Sequence, residues 1–99
     1  MIWEFVQSGH AAFLKGKLRK EEGLLLAALW KFRSTLLWPG LQSSLDSSVR
    51  GPLAYLLGQL FLRDKRPADA TAFFRDALAD AAPGSRLHRL ARAALETSK

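Results

Sequence analysis

The chain has 99 residues, 48% of them hydrophobic and 24% charged, with 15 Lys and Arg against 9 Asp and Glu for a net charge of +6. That composition is too apolar for a disordered chain and sufficient for one domain with a modest core. The absence of cysteine excludes a disulfide framework, a thiolate metal site and a cysteine nucleophile. The longest apolar run, GLLLAALW at 23–30, is far short of a membrane span. The N-terminus lacks the basic-then-apolar order of a secretory signal, so the expectation is a cytoplasmic protein.

In chain order the signals are helical. Ile2, Phe5, Val6, Ala12 and Phe13 recur at near-helical spacing, and Gly16 with the basic stretch to Lys20 reads as a turn. Glu21 and Glu22 favour a second helix start through the macrodipole. Residues 23–37 are apolar nearly all round, which predicts a helix covered on two sides. WPGLQSSLDSS at 38–48 reads as a linker, broken by Pro39-Gly40 and rich in serine, which should tolerate inserted Gly or Ser at little cost.

Beyond it the periodicity is cleaner. Leu53, Leu56, Leu57, Leu60 and Phe61 fall at i, i+3, i+4, i+7, i+8, with Gly51-Pro52 suiting a helix start in front of them. RDKR at 63–66 is a polar break. Pro67 opens a helix whose inner stripe is Ala70, Phe73, Phe74, Ala77 and Leu78. Pro83-Gly84 ends it, and Ser85 is a good N-cap for a last helix burying Leu87, Leu90, Ala91, Ala94 and Leu95. The expected fold class is therefore all-α, with antiparallel helix hairpins.

Small residues at a helix crossing, with large aromatic ones a turn away, let two antiparallel helices approach closely. Leu57-Gly58, Phe61, Ala70, Phe74 and Ala77-Leu78 have this character, and at their spacing the segment 54–83 resembles a tetratricopeptide (TPR) repeat. It departs from that pattern at Ala54, where the family has Trp, and at Pro83, one residue late. A weaker copy lies 49 residues earlier, at Phe5, Gly9, Ala12, Gly16, Leu25 and Ala28-Leu29, with Ser8 and Glu21 breaking the pattern. The resemblance implies a single helical domain over 1–99: a degenerate hairpin 1–37, the linker 38–48, a repeat 49–82 and a capping helix 85–97. An unrelated hairpin over 1–37, packed on one repeat, is the alternative.

A TPR-like array grips peptides in a groove lined by the first helix of each repeat. By position this implies Trp3, Val6, His10 and Phe13 from the first pair and Tyr55, Gln59, Leu62 and Arg63 from the second. Trp3 and Phe13 fit a core reading equally well. The carboxylate clamp found in some members needs Lys and Asn where Val6, His10, Tyr55 and Gln59 stand, so that mode is not expected. The function this implies is a protein–protein interaction module, an adaptor or chaperone-like scaffold taking a peptide or helix of another protein, with no catalysis. The alternative is a self-associating structural unit: two repeats are few for a continuous core, and Trp30 or Trp38 could mark a homodimer or hetero-complex contact.

Other chemistry finds little support. His10 and His88 lie on distant segments without neighbouring ligand residues, so no metal or cofactor is expected. Asp76 and Asp80 share a helix face but have no evident opposing partner. Ser43, Ser44, Ser47 and Ser48 lack the setting of a nucleophile and read as loop and cap residues. The basic clusters at 15–20, 63–66 and 86–92 carry no interleaved aromatics and read as solvated surface ahead of a nucleic-acid or anionic-membrane site.

Overall fold

Carboxylates at the start of a helix complement the positive end of its dipole and can accept the backbone N–H groups left without partners there. Both effects operate at Glu22 in the structure, a computed structural model that describes residues 19–97. Helix α1 spans Lys20–Phe32. Glu22 Oε1 accepts the Arg19 backbone N–H at 2.9 Å, while Oε2 accepts from the Arg19 guanidinium at 3.3 Å and from the Ser44 hydroxyl at 3.0 Å. Arg19 has no acceptor to return the bond, so the cap is one-sided. Glu22 is only 4% exposed. The Arg19 backbone N–H, against the opposing cost of burial, holds its carboxyl below the usual range.

The helix expected to run to residue 37 stops at Phe32. Arg33 enters the left-handed region at φ 52°, ψ 37°. Its N–H donates to the Trp30 carbonyl (3.4 Å) and that of Ser34 to Leu29 (3.0 Å), the paired bonds of a Schellman motif with arginine in the usual glycine position. The Arg33 guanidinium sits 3.7 Å from the Trp30 ring centroid and donates to the Trp30 carbonyl, which holds this conformation in place of glycine. A short 3-10 turn, Thr35–Leu37, follows.

The segment 38–48, expected to be a linker, is largely helical instead. Trp38–Ser44 is a helix, α2, with Pro39 in its first turn, where the missing N–H costs nothing. Trp38, Leu41 and Leu45 are all buried. They lie at i, i+3 and i+7, a helical period that the Pro-Gly and serine signals mask. Ser43 Oγ donates to the Pro39 carbonyl at 2.7 Å, bonding within the helix rather than opening a loop, while the single Ser44 proton goes to Glu22 on α1.

The chain divides between Leu45 and Asp46 into two compact units. In the first, α2 lies against α1, and Leu26, Leu29, Trp30, Trp38 and Leu41 are buried. The second holds α3 (Ser47–Arg63), α4 (Pro67–Asp80) and α5 (Arg86–Thr97). Helix α3 begins five residues before Pro52, which therefore lies inside it, not at its start. Pro52 forfeits the amide that would donate to the Ser48 carbonyl, a loss confined to the early turns.

Helices α3 and α4 form an antiparallel hairpin, as the order of their contacts shows. Phe61 stacks on Phe73 (centroids 5.1 Å), Tyr55 meets Phe74 (5.8 Å), and the Arg50 guanidinium makes two 2.7 Å bonds to the Asp80 carboxylate. Of the residues that carry the TPR resemblance, 57, 58, 61, 70, 74 and 77 are buried and Leu78 is half-buried; Ala54, where the family has Trp, is buried too. At Gly58 the approach is closest: a Cβ there would lie 2.5–3.0 Å from three carbons of the Phe74 ring.

The turn after α3 is a second Schellman motif, with Lys65 at φ 62°. Lys65 N–H donates to the Leu62 carbonyl (3.1 Å) and Arg66 N–H to Phe61 (2.9 Å). Between α4 and α5, Ser85 N–H donates to the Ala82 carbonyl at 3.0 Å across Pro83-Gly84, with Gly84 at φ 79° as a type II turn demands. Ser85 Oγ then accepts the His88 N–H at 3.1 Å and caps α5. Helix α5 packs on α4 and touches α3, burying Ala91 and half-burying Leu87, Ala94 and Leu95, while Leu90, expected inside, is exposed. All the regular structure of the described residues is helical, with no strand among them; the fold class is all-α.

Candidate functional site

Helix α3 turns its apolar stripe toward α4, so the residues between the stripe positions are left outward. Tyr55, Gln59 and Arg63 follow one another at steps of four, and Leu62 lies beside them on the same face. Tyr55 is half-buried with its ring tilted 49° against Phe74; Gln59 and Arg63 are exposed, and Leu62 is a large apolar side chain left 38% exposed. The Gln59 side-chain amide donates to the Tyr55 hydroxyl at 3.0 Å. That bond orients both groups and leaves the Tyr55 proton and the Gln59 carbonyl oxygen available to an incoming ligand. The surface thus offers an aromatic edge, an amide, an apolar side chain and a cation along about two turns of helix.

Four of the eight residues assigned to a groove are therefore on one face of α3. Trp3, Val6, His10 and Phe13 lie outside the described residues. Trp30 and Trp38, the candidate self-association residues, are buried. The large apolar side chains that the first unit presents outward are instead Leu24, Phe32 and Leu36. With 23–37 apolar nearly all round and no Gly or Pro to mark the end of α1, the sequence does not say which of these side chains face outward.

Of the paired aspartates, Asp80 is held by Arg50 in a bidentate ion pair. No group of three or more His, Asp or Glu among the described residues could hold a metal ion, and none of their helices is long and apolar enough to cross a membrane. The arginines of α5, at 86, 89 and 92, are exposed as expected. No protein-family model matches this chain, and the searches of curated proteins and of solved structures likewise returned no match.

Proposed function

We propose that this chain is a protein–protein interaction module with no catalytic step of its own, which takes a peptide or a helix of a partner on the outward face of α3. The observation that carries the reading is the row Tyr55, Gln59, Leu62 and Arg63. Tyr and Arg are the side chains that most often dominate interfaces, and an exposed leucine beside them supplies an apolar anchor. On this reading α3 and α4 make one TPR-like repeat and α5 its cap. The burial of residues 54, 57, 58, 61, 70, 74 and 77 between the helices supports that arrangement.

The test is selection of peptides from a phage-displayed random library on the full chain, with the affinity of the best binders measured by calorimetry. Tyr55→Ala and Arg63→Glu should each weaken the selected peptides at least tenfold, whereas Arg75→Ala, on the exposed face of α4, should leave them unchanged. Selected peptides indifferent to both α3 substitutions, or no enrichment at all, would defeat the proposal.

A further inference from the structure

Three of the five large apolar side chains that the described residues leave exposed cluster within thirteen positions of the first unit: Leu24 at 63%, Phe32 at 67% and Leu36 at 88%. Leu24, Ala28 and Phe32 succeed one another at steps of four, a stripe of about 12 Å along α1. Leu36 follows in the 3-10 turn, beyond the left-handed Arg33 that ends the helix. The opposite side of α1 carries the buried residues Glu22, Leu26, Leu29 and Trp30, so the stripe is a second apolar face and not an extension of the core. Together the three side chains present roughly 300–400 Å² of apolar surface, the size of the largest patch on an ordinary monomer, where such patches are often functional.

The charges beside the stripe say what fits it. Lys20 and Lys31 share one edge, eleven residues apart on the same helix face. Both are exposed and neither forms an ion pair among the described residues; Lys31 Nζ instead lies 5.3 Å from the Phe32 ring centroid. Glu21, seven residues before Ala28 and eleven before Phe32, stands in line with the stripe at its N-terminal end. A second copy of this chain suits the stripe poorly. Two-fold antiparallel pairing of α1 with itself brings like edges together, lysines against lysines. It would also bury roughly twice 300–400 Å², below the 1,200 Å² or so of a stable specific interface. A membrane anchor would carry cations on both edges, and here the lysines line one edge only while Glu21 stands in line with the stripe itself.

We infer that the Leu24–Phe32–Leu36 stripe is a docking surface for an amphipathic helix of another protein, apolar at steps of three and four and acidic along the edge that meets Lys20 and Lys31. The contact is small, which makes it a weak, transient one with a Kd of roughly 10–100 μM. It does not rest on the reading of the α3 face.

The probe is a fluorescein-labelled 18-residue helix-forming peptide with leucine at positions i, i+4 and i+7 and glutamate on both flanks, beside a twin with lysine for glutamate. Both are titrated against the full chain by fluorescence anisotropy. The acidic peptide should bind in the stated range and its lysine twin at least tenfold more weakly. Phe32→Ser should abolish binding, and Lys31→Glu should reverse the preference between the twins, with far-UV circular dichroism showing both variants folded. Equal binding of the twins, or no binding of either, overturns the inference. So does light scattering that shows a dimer in the parent chain and a monomer in Phe32→Ser, which would make the occupant a second copy. Phe32-dependent binding to vesicles of phosphatidylcholine and phosphatidylserine, without binding to the acidic helix, overturns it as well.

Discussion

A glycine in the interior of a helix is ordinarily a defect, and replacing it with alanine should stabilise the protein by about 1 kcal/mol. Gly58 should behave oppositely. An added Cβ would stand 2.5, 2.6 and 3.0 Å from Cε1, Cδ1 and Cζ of Phe74, where ordinary carbon contacts are about 3.5–4.0 Å. The ring cannot swing aside freely: Phe74 is buried and Tyr55 lies against it. Relief requires about 1 Å of movement by the ring or by α3 against α4, and overpacking of this kind costs about 1–3 kcal/mol. Against the propensity gain, the net effect of Gly58→Ala is a loss of about 1 kcal/mol. Gly23, which has nothing within 4 Å of an added Cβ, is the control and should gain about 0.5–1 kcal/mol on the same change. Urea denaturation followed by far-UV circular dichroism measures both. Tryptophan emission would miss α3 to α5, because all three tryptophans precede Leu45. In a Phe74→Leu background, Gly58→Ala should turn from destabilising to stabilising, a coupling energy of at least about 1 kcal/mol. If Gly58→Ala stabilises the parent chain as Gly23→Ala does, the close crossing of α3 and α4 is refuted.

Lys65 pays about 1 kcal/mol for its left-handed backbone, so Lys65→Gly should raise stability by about 0.5–1 kcal/mol in the same assay. Arg33→Gly should gain nothing, because it loses the stacking on Trp30; equal gains at both positions would contradict the compensating role of that stacking. Glu22 has a folded-state pKa lowered mainly by the Arg19 backbone N–H, so its stabilisation is present above the ordinary carboxylate range and lost as pH falls through the lowered value. Glu22→Gln should therefore cost about 1 kcal/mol at neutral pH, and that difference should vanish in acid; a penalty independent of pH would show the carboxylate charge to be irrelevant. Inserting Gly-Ser after Gly40 turns Leu41 and Leu45 off their buried face and should cost several kcal/mol, at about 1.5–3 kcal/mol per leucine. The same insertion between Ala82 and Pro83 should cost under about 1 kcal/mol, and comparable costs at the two sites would return 38–48 to a linker.

How far the sequence reveals the fold depends on whether local chemistry and tertiary contact agree. They agree in α4 and at the start of α5: Pro67 opens one helix, Pro83-Gly84 turns the chain, and Ser85 caps the next. They disagree in the first unit. Pro39 and Gly40 carry a loop signature, yet Trp38, Leu41 and Leu45 gain more from burial than a short helix costs. Both left-handed helix ends in α1 and α3 use a basic residue, so neither announces itself; at Lys65 the polar run RDKR gave the break away, whereas nothing between Leu29 and Leu37 did so for Arg33. The α3 face was legible in part, since spacing alone places 55, 59, 62 and 63 together. The α1 stripe was not, because an all-apolar helix conceals which of its faces is left uncovered.

The hairpin contact and the proposed binding face are physically one arrangement. Phe74 seats in the space that Gly58 leaves, and the same ring packs against Tyr55, so the crossing of α3 and α4 helps to position Tyr55. Gln59 then fixes the hydroxyl at 3.0 Å. A recognition surface mounted on a helix whose inner side is locked this way loses little side-chain entropy on binding, which is where preorganised sites gain affinity. The α1 stripe has the matching property at its far end. The Arg33 turn that stops the helix is what sends the chain into the 3-10 segment and leaves Leu36 outside, so the reach of that surface is set by a backbone conformation that stacking on Trp30 maintains.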